Sequence, residues 1–246
     1  MKNRIALVTG GMGALGTSII KTLSVGGCQA VATFQFPGDA SATAWRAAMK
    51  AQGIDVAVVS CDVSDYSQTA AALAEVMAAV GPIDILVNGA GITRDNTLRK
   101  MTPDQWQAVI GVNLNSVFNV TQPLLQGMMD RGFGRIVNIA SVNGQKGQIG
   151  QANYAAAKAG MHGFTKTIAQ EAARKGVTVN TVSPGYIESP MIEAVPQAVR
   201  ERIRQSIPVQ RFGQPEDIAR AVAFLVDEAA GYITGHELSV NGGLYM

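Results

Sequence analysis

The chain has 246 residues, 47% of them hydrophobic and 15% charged, with a formal net charge of +2. That is enough length and apolar content for one sizeable core, and it offers no basic surface with which to hold nucleic acid. No apolar stretch reaches the length of a membrane span. The opening M-K-N-R-I-A-L-V-T-G-G lacks the longer apolar region and cleavage site of a secretory signal, so a soluble cytoplasmic protein is expected. Cys28 and Cys61 stand at no metal-ligand spacing with His162 and His236. No metal is expected, and the two thiols read as buried in a reducing compartment.

In chain order, short β-rich apolar runs alternate with helical patterns. Strands are predicted at 5–9, 30–34, 56–60, 83–88, 135–140, 177–182 and 237–240. Helices are predicted at 14–25, 41–52, 67–79, 103–129 and 152–175, with helical pieces from 192 to 226. The strand runs are continuously apolar rather than alternating, as in a parallel sheet covered on both faces. No linker or repeat interrupts the alternation. The expectation is an α/β fold: a single domain over 1–246, with a Rossmann-type doubly wound parallel sheet flanked by helices on both faces.

Ligands of such sheets bind at the carboxyl ends of the strands, and each distinctive residue group falls at one of those ends. After the first strand, T-G-G-M-G-A-L-G (Thr9 to Gly16) permits a tight turn. Gly10, Met12, Gly13, Ala14, Leu15 and Gly16 would let backbone approach a pyrophosphate at the helix N-terminus. The second strand ends Phe34-Gln35-Phe36-Pro37-Gly38, with neither a carboxylate for ribose hydroxyls nor a cation for a 2′-phosphate; the first basic residue afterwards is Arg46. A dianionic phosphate without a cation binds poorly, so NADH is expected in preference to NADPH, with NADPH the alternative.

Cys61, Asp62 and Val63 end the third strand. Asp62 is a candidate acceptor for an adenine amino group, while Asp65 fits a helix cap better. Asn88, Gly89, Ala90 and Gly91 end the fourth, where small residues let a ligand lie against backbone. The following T-R-D-N-T-L-R-K carries Arg94, Arg99 and Lys100, which read either as a solvated loop or as contacts for a polyanionic substrate tail. Asn113, a poor mid-helix residue, suggests a kink or a bound water. Ser141 ends the fifth strand. Pro184-Gly185 turns the chain after the sixth, aiming 186–189 at the cleft.

Between Ser141 and Lys158 the chain reads S-V-N-G-Q-K-G-Q-I-G-Q-A-N-Y-A-A-A-K. Tyr154 and Lys158 are four apart and share a helix face. A lysine ammonium beside a phenol favours phenolate and would lower the Tyr154 pKa towards neutrality, giving a proton donor tuned for neutral pH.

The set Thr9-Gly10-x-x-x-Ala14-x-Gly16, Asp62-Val63, Asn88-Gly89-Ala90-Gly91, Asn113, Ser141, Tyr154-x-x-x-Lys158 and Pro184-Gly185 occurs in one order along nearly the whole chain. It resembles the short-chain dehydrogenases/reductases. Within them it is most similar to the acetoacetyl-CoA reductases of polyhydroxybutyrate synthesis, on G-I-T-R-D at 91–95, R-K-M-T at 99–102 and G-R-I-V-N-I-A-S-V-N-G-Q-K-G-Q-I-G-Q-A-N-Y at 134–154. Two departures stand out. Ala14 replaces the middle glycine of the first turn, and Gly89 replaces the second asparagine of the fourth-strand motif, which puts local rigidity there in doubt.

The resemblance implies hydride transfer from the nicotinamide to the C3 keto carbon of a 3-oxoacyl-CoA thioester. It implies Tyr154 as proton donor and Ser141 as hydrogen-bond donor to the keto oxygen. Lys158 would then bind the nicotinamide ribose, and Asn113 would hold a water between Lys158 and solvent. Ile187 and Ser189 would fix the carboxamide. Asp95, Lys100, Gln148, Ile149, Gln151 and Tyr186 are the expected substrate contacts beside Ser141 and Tyr154, and the product is an (R)-3-hydroxyacyl thioester. A homotetramer is expected, paired through helices 103–129 and 152–175 and through the C-terminal strand. The alternative activity is reduction of a 3-oxoacyl carrier protein, which needs a basic docking surface. A more remote one is a non-catalytic dinucleotide-binding protein.

Overall fold

Seven runs rich in Val, Ile and Ala form a single parallel sheet in the computed structural model, which describes residues 1, 3–35, 40–193 and 195–246. The strands are β1 (Ile5–Val8), β2 (Gln29–Phe34), β3 (Val56–Ser60), β4 (Ile85–Asn88), β5 (Gly134–Ile139), β6 (Val177–Pro184) and β7 (Glu237–Val240). Their order is β3-β2-β1-β4-β5-β6-β7. The sequence direction reverses between β1 and β4, and that switch point opens a crevice at the strands' carboxyl ends.

The helices are α1 (Ala14–Val25), α2 (Ala40–Lys50), α3 (Tyr66–Val80), α4 (Pro103–Ile110), α5 (Ser116–Asp130), α6 (Val142–Lys146), α7 (Ala152–Ala172), α8 (Pro190–Glu193), α9 (Gln197–Ser206) and α10 (Pro215–Val226). One face of the sheet is covered by Ile19, Ile20 and Leu23 of α1 with Ile218, Val222 and Leu225 of α10. The other is covered by Leu73 and Val76 of α3, Val120, Leu124 and Met128 of α5, and Ala169 and Ala172 of α7. Each fully buried aliphatic side chain contributes about 2 kcal/mol. Cys28 and Cys61 are free and buried within these layers, where burial pushes both thiols up. Among the described residues no helix is long and apolar enough to cross a membrane.

The predicted elements recur with small shifts at their ends, and two local features differ. The predicted helix 103–129 is interrupted by a π turn, Gly111–Asn115, between α4 and α5. The kink expected at Asn113 is therefore present, as a wide turn of the kind that marks functional sites. A short helix, α6, stands where a loop was expected, capped by the Ser141 hydroxyl accepting from Asn143 N. The end of the second strand at 36–38 lies outside the described residues.

Candidate active site

The first turn closes because glycines occupy positions where a side chain would collide. Gly10 has φ 65°, in the left-handed region that favours glycine. A Cβ on Gly16 would run into the Gly10 carbonyl oxygen and stand 2.7 Å from Gly11 Cα. Gly13 begins α1 without a side-chain cap, and no acidic residue sits in the first turn. Backbone N–H groups and the positive end of the helix dipole thus face the crevice, which fits a pyrophosphate. Around this cradle, Thr33 Oγ1 accepts from Gly10 N at 3.2 Å. Thr9 Oγ1 accepts from Gly89 N at 3.0 Å and Ala90 N at 3.1 Å. Those two bonds pin the fourth-strand motif to β1. A Cβ at Gly89 would lie 2.9 Å from the Thr9 carbonyl oxygen, so glycine here permits a close approach of strands.

Two hollows meet at Gly91 and Ile92. The first is lined by Gly10, Thr33, Phe34, Gln35, Cys61, Asp62, Val63, Ala90 and Val112, and its size and place suit an adenosine half. Asp62 Oδ1 accepts from Ser64 N at 3.0 Å and Ser64 Oγ at 2.7 Å. Asp65 caps α3 through Gln68 N at 2.8 Å, as its sequence position suggested. Among the described residues no cation lines this hollow; Arg46 and Lys50 lie in a separate groove on the other side of Phe34.

The second hollow gathers Leu15, Gly89, Thr93, Ile139, Ala140, Ser141, Tyr154, Lys158, Pro184 and Gly185. Strand β5 delivers Ser141, and the first two turns of α7 deliver Tyr154 and Lys158. Asn143 N donates to Ser141 Oγ at 3.1 Å, which leaves the serine its own proton to donate, and Ser141 hydrogen-bonds the Tyr154 phenol. Lys158 is buried and donates to the Ile139 carbonyl at 2.7 Å, its Nζ 5.6 Å from the Tyr154 ring centroid.

Burial dominates both titrations. Desolvation pushes the Tyr154 phenol up, a hydrogen bond from Ser141 pulls it back, and the Asp95 charge adds to the rise. Desolvation pulls Lys158 down to about 8. The expectation that Lys158 brings Tyr154 towards neutrality is thereby corrected. In this geometry loss of solvent around the phenol is the largest influence on it and Tyr154 is raised, so it is protonated at neutral pH.

Asn113 is wholly buried, and its amide is committed at both ends to Ile92. Its Oδ1 accepts from Ile92 N at 2.7 Å, and its Nδ2 donates to the Ile92 carbonyl at 2.9 Å. A Cβ on Gly91 would come 3.4 Å from Asn113 Oδ1 and 3.6 Å from Lys158 Nζ. The π turn therefore holds the wall beside the lysine.

The remaining expected residues scatter. Tyr186 and Ile187 line a neighbouring hollow with Ile207, Val209, Arg211 and Val240, rather than the one holding Tyr154. Ser189 Oγ accepts from Ile192 N at 3.4 Å. Ile149 is 89% exposed, Gln148 accepts from Lys146 Nζ at 3.0 Å, and Lys100 is exposed and lines neither hollow. Gln151 and Asp95 are hydrogen-bonded to each other at 2.8 Å. Thr33, Ile92, Thr93 and Val112 line the hollows without having been singled out in the sequence. A threonine near the end of a strand could have flagged Thr33, whereas Ile92 serves mainly through its backbone and carries no side-chain signal.

The family model described as Enoyl-(Acyl carrier protein) reductase matches residues 12–245. The chain is 57% identical to the acetoacetyl-CoA reductase of Allochromatium vinosum, covering 99% of both chains. It is 52% identical to the acetoacetyl-CoA reductase of Cupriavidus necator over 100% of both. To the 3-oxoacyl-(acyl-carrier-protein) reductase of Vibrio harveyi it is 43% identical over 100% of this chain and 99% of that one. The chain therefore belongs to the short-chain dehydrogenase/reductase family. It is an oxidoreductase that uses a nicotinamide dinucleotide.

Proposed function

We propose that this enzyme reduces acetoacetyl-CoA to (R)-3-hydroxybutyryl-CoA, as a step of polyhydroxybutyrate synthesis, with NADH preferred over NADPH. The observation that carries the reading is the meeting of Ser141, Tyr154 and Lys158 in one hollow beside the glycine cradle. The chain's 57% identity to an acetoacetyl-CoA reductase supports the substrate. The first hollow, which no cation lines among the described residues, supports NADH.

When bound, the dinucleotide supplies the hydride. The protein's own part is to place donors where negative charge develops on the keto oxygen. The Ser141 hydroxyl, which hydrogen-bonds the Tyr154 phenol in the free protein, turns its proton to that oxygen when substrate is bound. Tyr154, kept neutral by burial, gives it a proton. Lys158 serves as a ribose-binding cation and restores the phenol proton, while Asn113 holds the Ile92 wall and a water leading towards solvent. Gly10 and the first turn of α1, with Met12, Gly13, Ala14, Leu15 and Gly16, hold the pyrophosphate. Phe34, Gln35, Cys61, Asp62 and Val63 hold the adenosine, and Asn88, Gly89, Ala90, Gly91, Pro184, Gly185, Ile187 and Ser189 hold the nicotinamide end. The rim residues Asp95, Lys100, Gln148, Ile149 and Gln151 border the thioester, and Tyr186 stands behind Gly185. The assembly is a cytoplasmic homotetramer.

Reduction of a 3-oxoacyl carrier protein is the second reading, supported by the 43% relative. A formal charge of only +2 argues against docking an acidic carrier. Equal concentrations of acetoacetyl-CoA and an acetoacetyl carrier protein, each with NADH and NADPH, separate the two. Higher kcat/KM on the carrier protein contradicts the CoA reading.

A further inference from the structure

Asn143 stands between Ser141 and Tyr154 in sequence, and the mechanism above calls for no asparagine side chain there. It stands in the first turn of α6. Its backbone N–H donates to Ser141 Oγ at 3.1 Å, and its side-chain Nδ2 donates to Gln151 Oε1 at 2.9 Å. Gln151 in turn donates from Nε2 to Asp95 Oδ2 at 2.8 Å. The same two segments are joined again where Asn96 N donates to the Gly150 carbonyl at 2.9 Å. A third tie is Asn153 Nδ2 donating to the Arg94 carbonyl at 3.1 Å. Asn153 Oδ1 also accepts from Tyr154 N at 2.8 Å. The loop after β4 is therefore sutured to the segment that carries the proton donor. The Gln151 amide, whose terminal torsion is otherwise broad, is fixed from both ends.

We propose that Asn143 is a positioning residue that sets acyl-chain selectivity. It orients the Ser141 hydroxyl from its backbone and locks Gln151 against Asp95 from its side chain, making one stiff polar wall next to Tyr154. An acyl chain longer than the acetoacetyl methyl terminus would have to press apolar carbon against an amide and a carboxylate that cannot turn away. Covering these groups with apolar carbon strips their water without supplying new hydrogen bonds, which is costly. The shortest 3-oxoacyl chain is therefore favoured. This rests on the thioester reading above for its substrate, but the wall itself is a property of the protein alone.

The test uses Asn143→Leu, which keeps volume and removes the donor, and Gln151→Leu, which removes the acceptor. It has two arms on the full-length protein. In the first, kcat/KM is measured for acetoacetyl-CoA and 3-oxohexanoyl-CoA, with the NADH Kd from fluorescence titration. Asn143→Leu is expected to narrow the acetoacetyl preference at least about fivefold while leaving that Kd within about twofold. The double variant is expected to add little to either single one. In the second, hydrogen exchange is followed in peptides spanning 92–102 and 142–154, which needs no substrate. Both peptides are expected to exchange faster in either variant. An unchanged chain-length ratio, or faster exchange confined to 142–154, overturns the proposal. If the unaltered enzyme does not reduce acetoacetyl-CoA, the substrate reading fails by itself, and the exchange arm still decides whether Asn143 joins the two segments.

Discussion

At the scale of single residues the two titrating groups decide the chemistry. Tyr154 is held in its acid form by burial, which suits a group that must release a proton during reduction. Tyr154→Phe is expected to abolish turnover while NADH still binds; more than about a tenth of the rate remaining would remove Tyr154 from the proton-donor role. Lys158 carries the opposite shift, from 10.5 to about 8. Its folded pKa lies below its unfolded one, so the unfolded chain binds the proton more tightly, and below pH 8 the charge costs folding about 3 kcal/mol. That cost is relieved as pH rises from 8 to 10.5. Lys158→Met should therefore lose activity yet gain stability, with Tm raised by roughly 5 °C at pH 7 and the gain shrinking across that alkaline window. Calorimetry at pH 7 and pH 10 checks it; a lower Tm at pH 7 would mean the Ile139 hydrogen bond outweighs desolvation. The spacing of Tyr154 and Lys158 was readable from the chain. The directions of their shifts were not, because burial depends on what α7 packs against.

At the scale of elements the cradle is the part most tightly specified. Gly16→Ala would ordinarily help a helix, but its methyl meets the Gly10 carbonyl. The turn must open, and NADH affinity is expected to fall at least about tenfold, since the backbone donors no longer converge. Isothermal titration calorimetry reads this directly, and an unchanged Kd would count against the cradle. The end of β2 makes a second prediction. Gln35 is exposed beside a hollow that no cation lines among the described residues, so Gln35→Arg should raise kcat/KM for NADPH about tenfold or more by giving the 2′-phosphate a partner. No gain there would place phosphate recognition elsewhere.

The strands were legible because continuous apolar runs report burial on both faces, as in Ile5–Val8 and Ile85–Asn88, and the long helices because one apolar face recurs, as in Ala14–Val25. The π turn was only half legible. Asn113 signalled trouble in the helix, but its clamp on Ile92 is a tertiary contact. Helix α6 was missed because Val142–Lys146 is a single short turn with three polar residues and a glycine, held by the Ser141 cap rather than by apolar periodicity. Tyr186 illustrates a further limit. Its place after Pro184-Gly185 put it near the cleft, yet the turn carries it into the next hollow.

For the whole molecule, the parallel sheet and its switch point bring residues from 10 to 185 to one edge, and that is why widely spaced sequence signals form one site. Arg94, Arg99 and Lys100 are exposed, and under the proposed function they are candidates to meet CoA phosphates. Lys100→Gln should raise the KM for acetoacetyl-CoA more than it lowers kcat, and the effect should fade at high salt. The measurement that tests the central claim most directly is steady-state reduction of acetoacetyl-CoA by the purified protein, with NADH and NADPH at matched concentrations. The account predicts turnover to (R)-3-hydroxybutyryl-CoA with higher kcat/KM for NADH. Absence of dinucleotide oxidation with acetoacetyl-CoA would contradict the proposed substrate, and a clear NADPH advantage would contradict the NADH reading drawn from the hollow at Phe34 and Gln35, which no cation lines among the described residues.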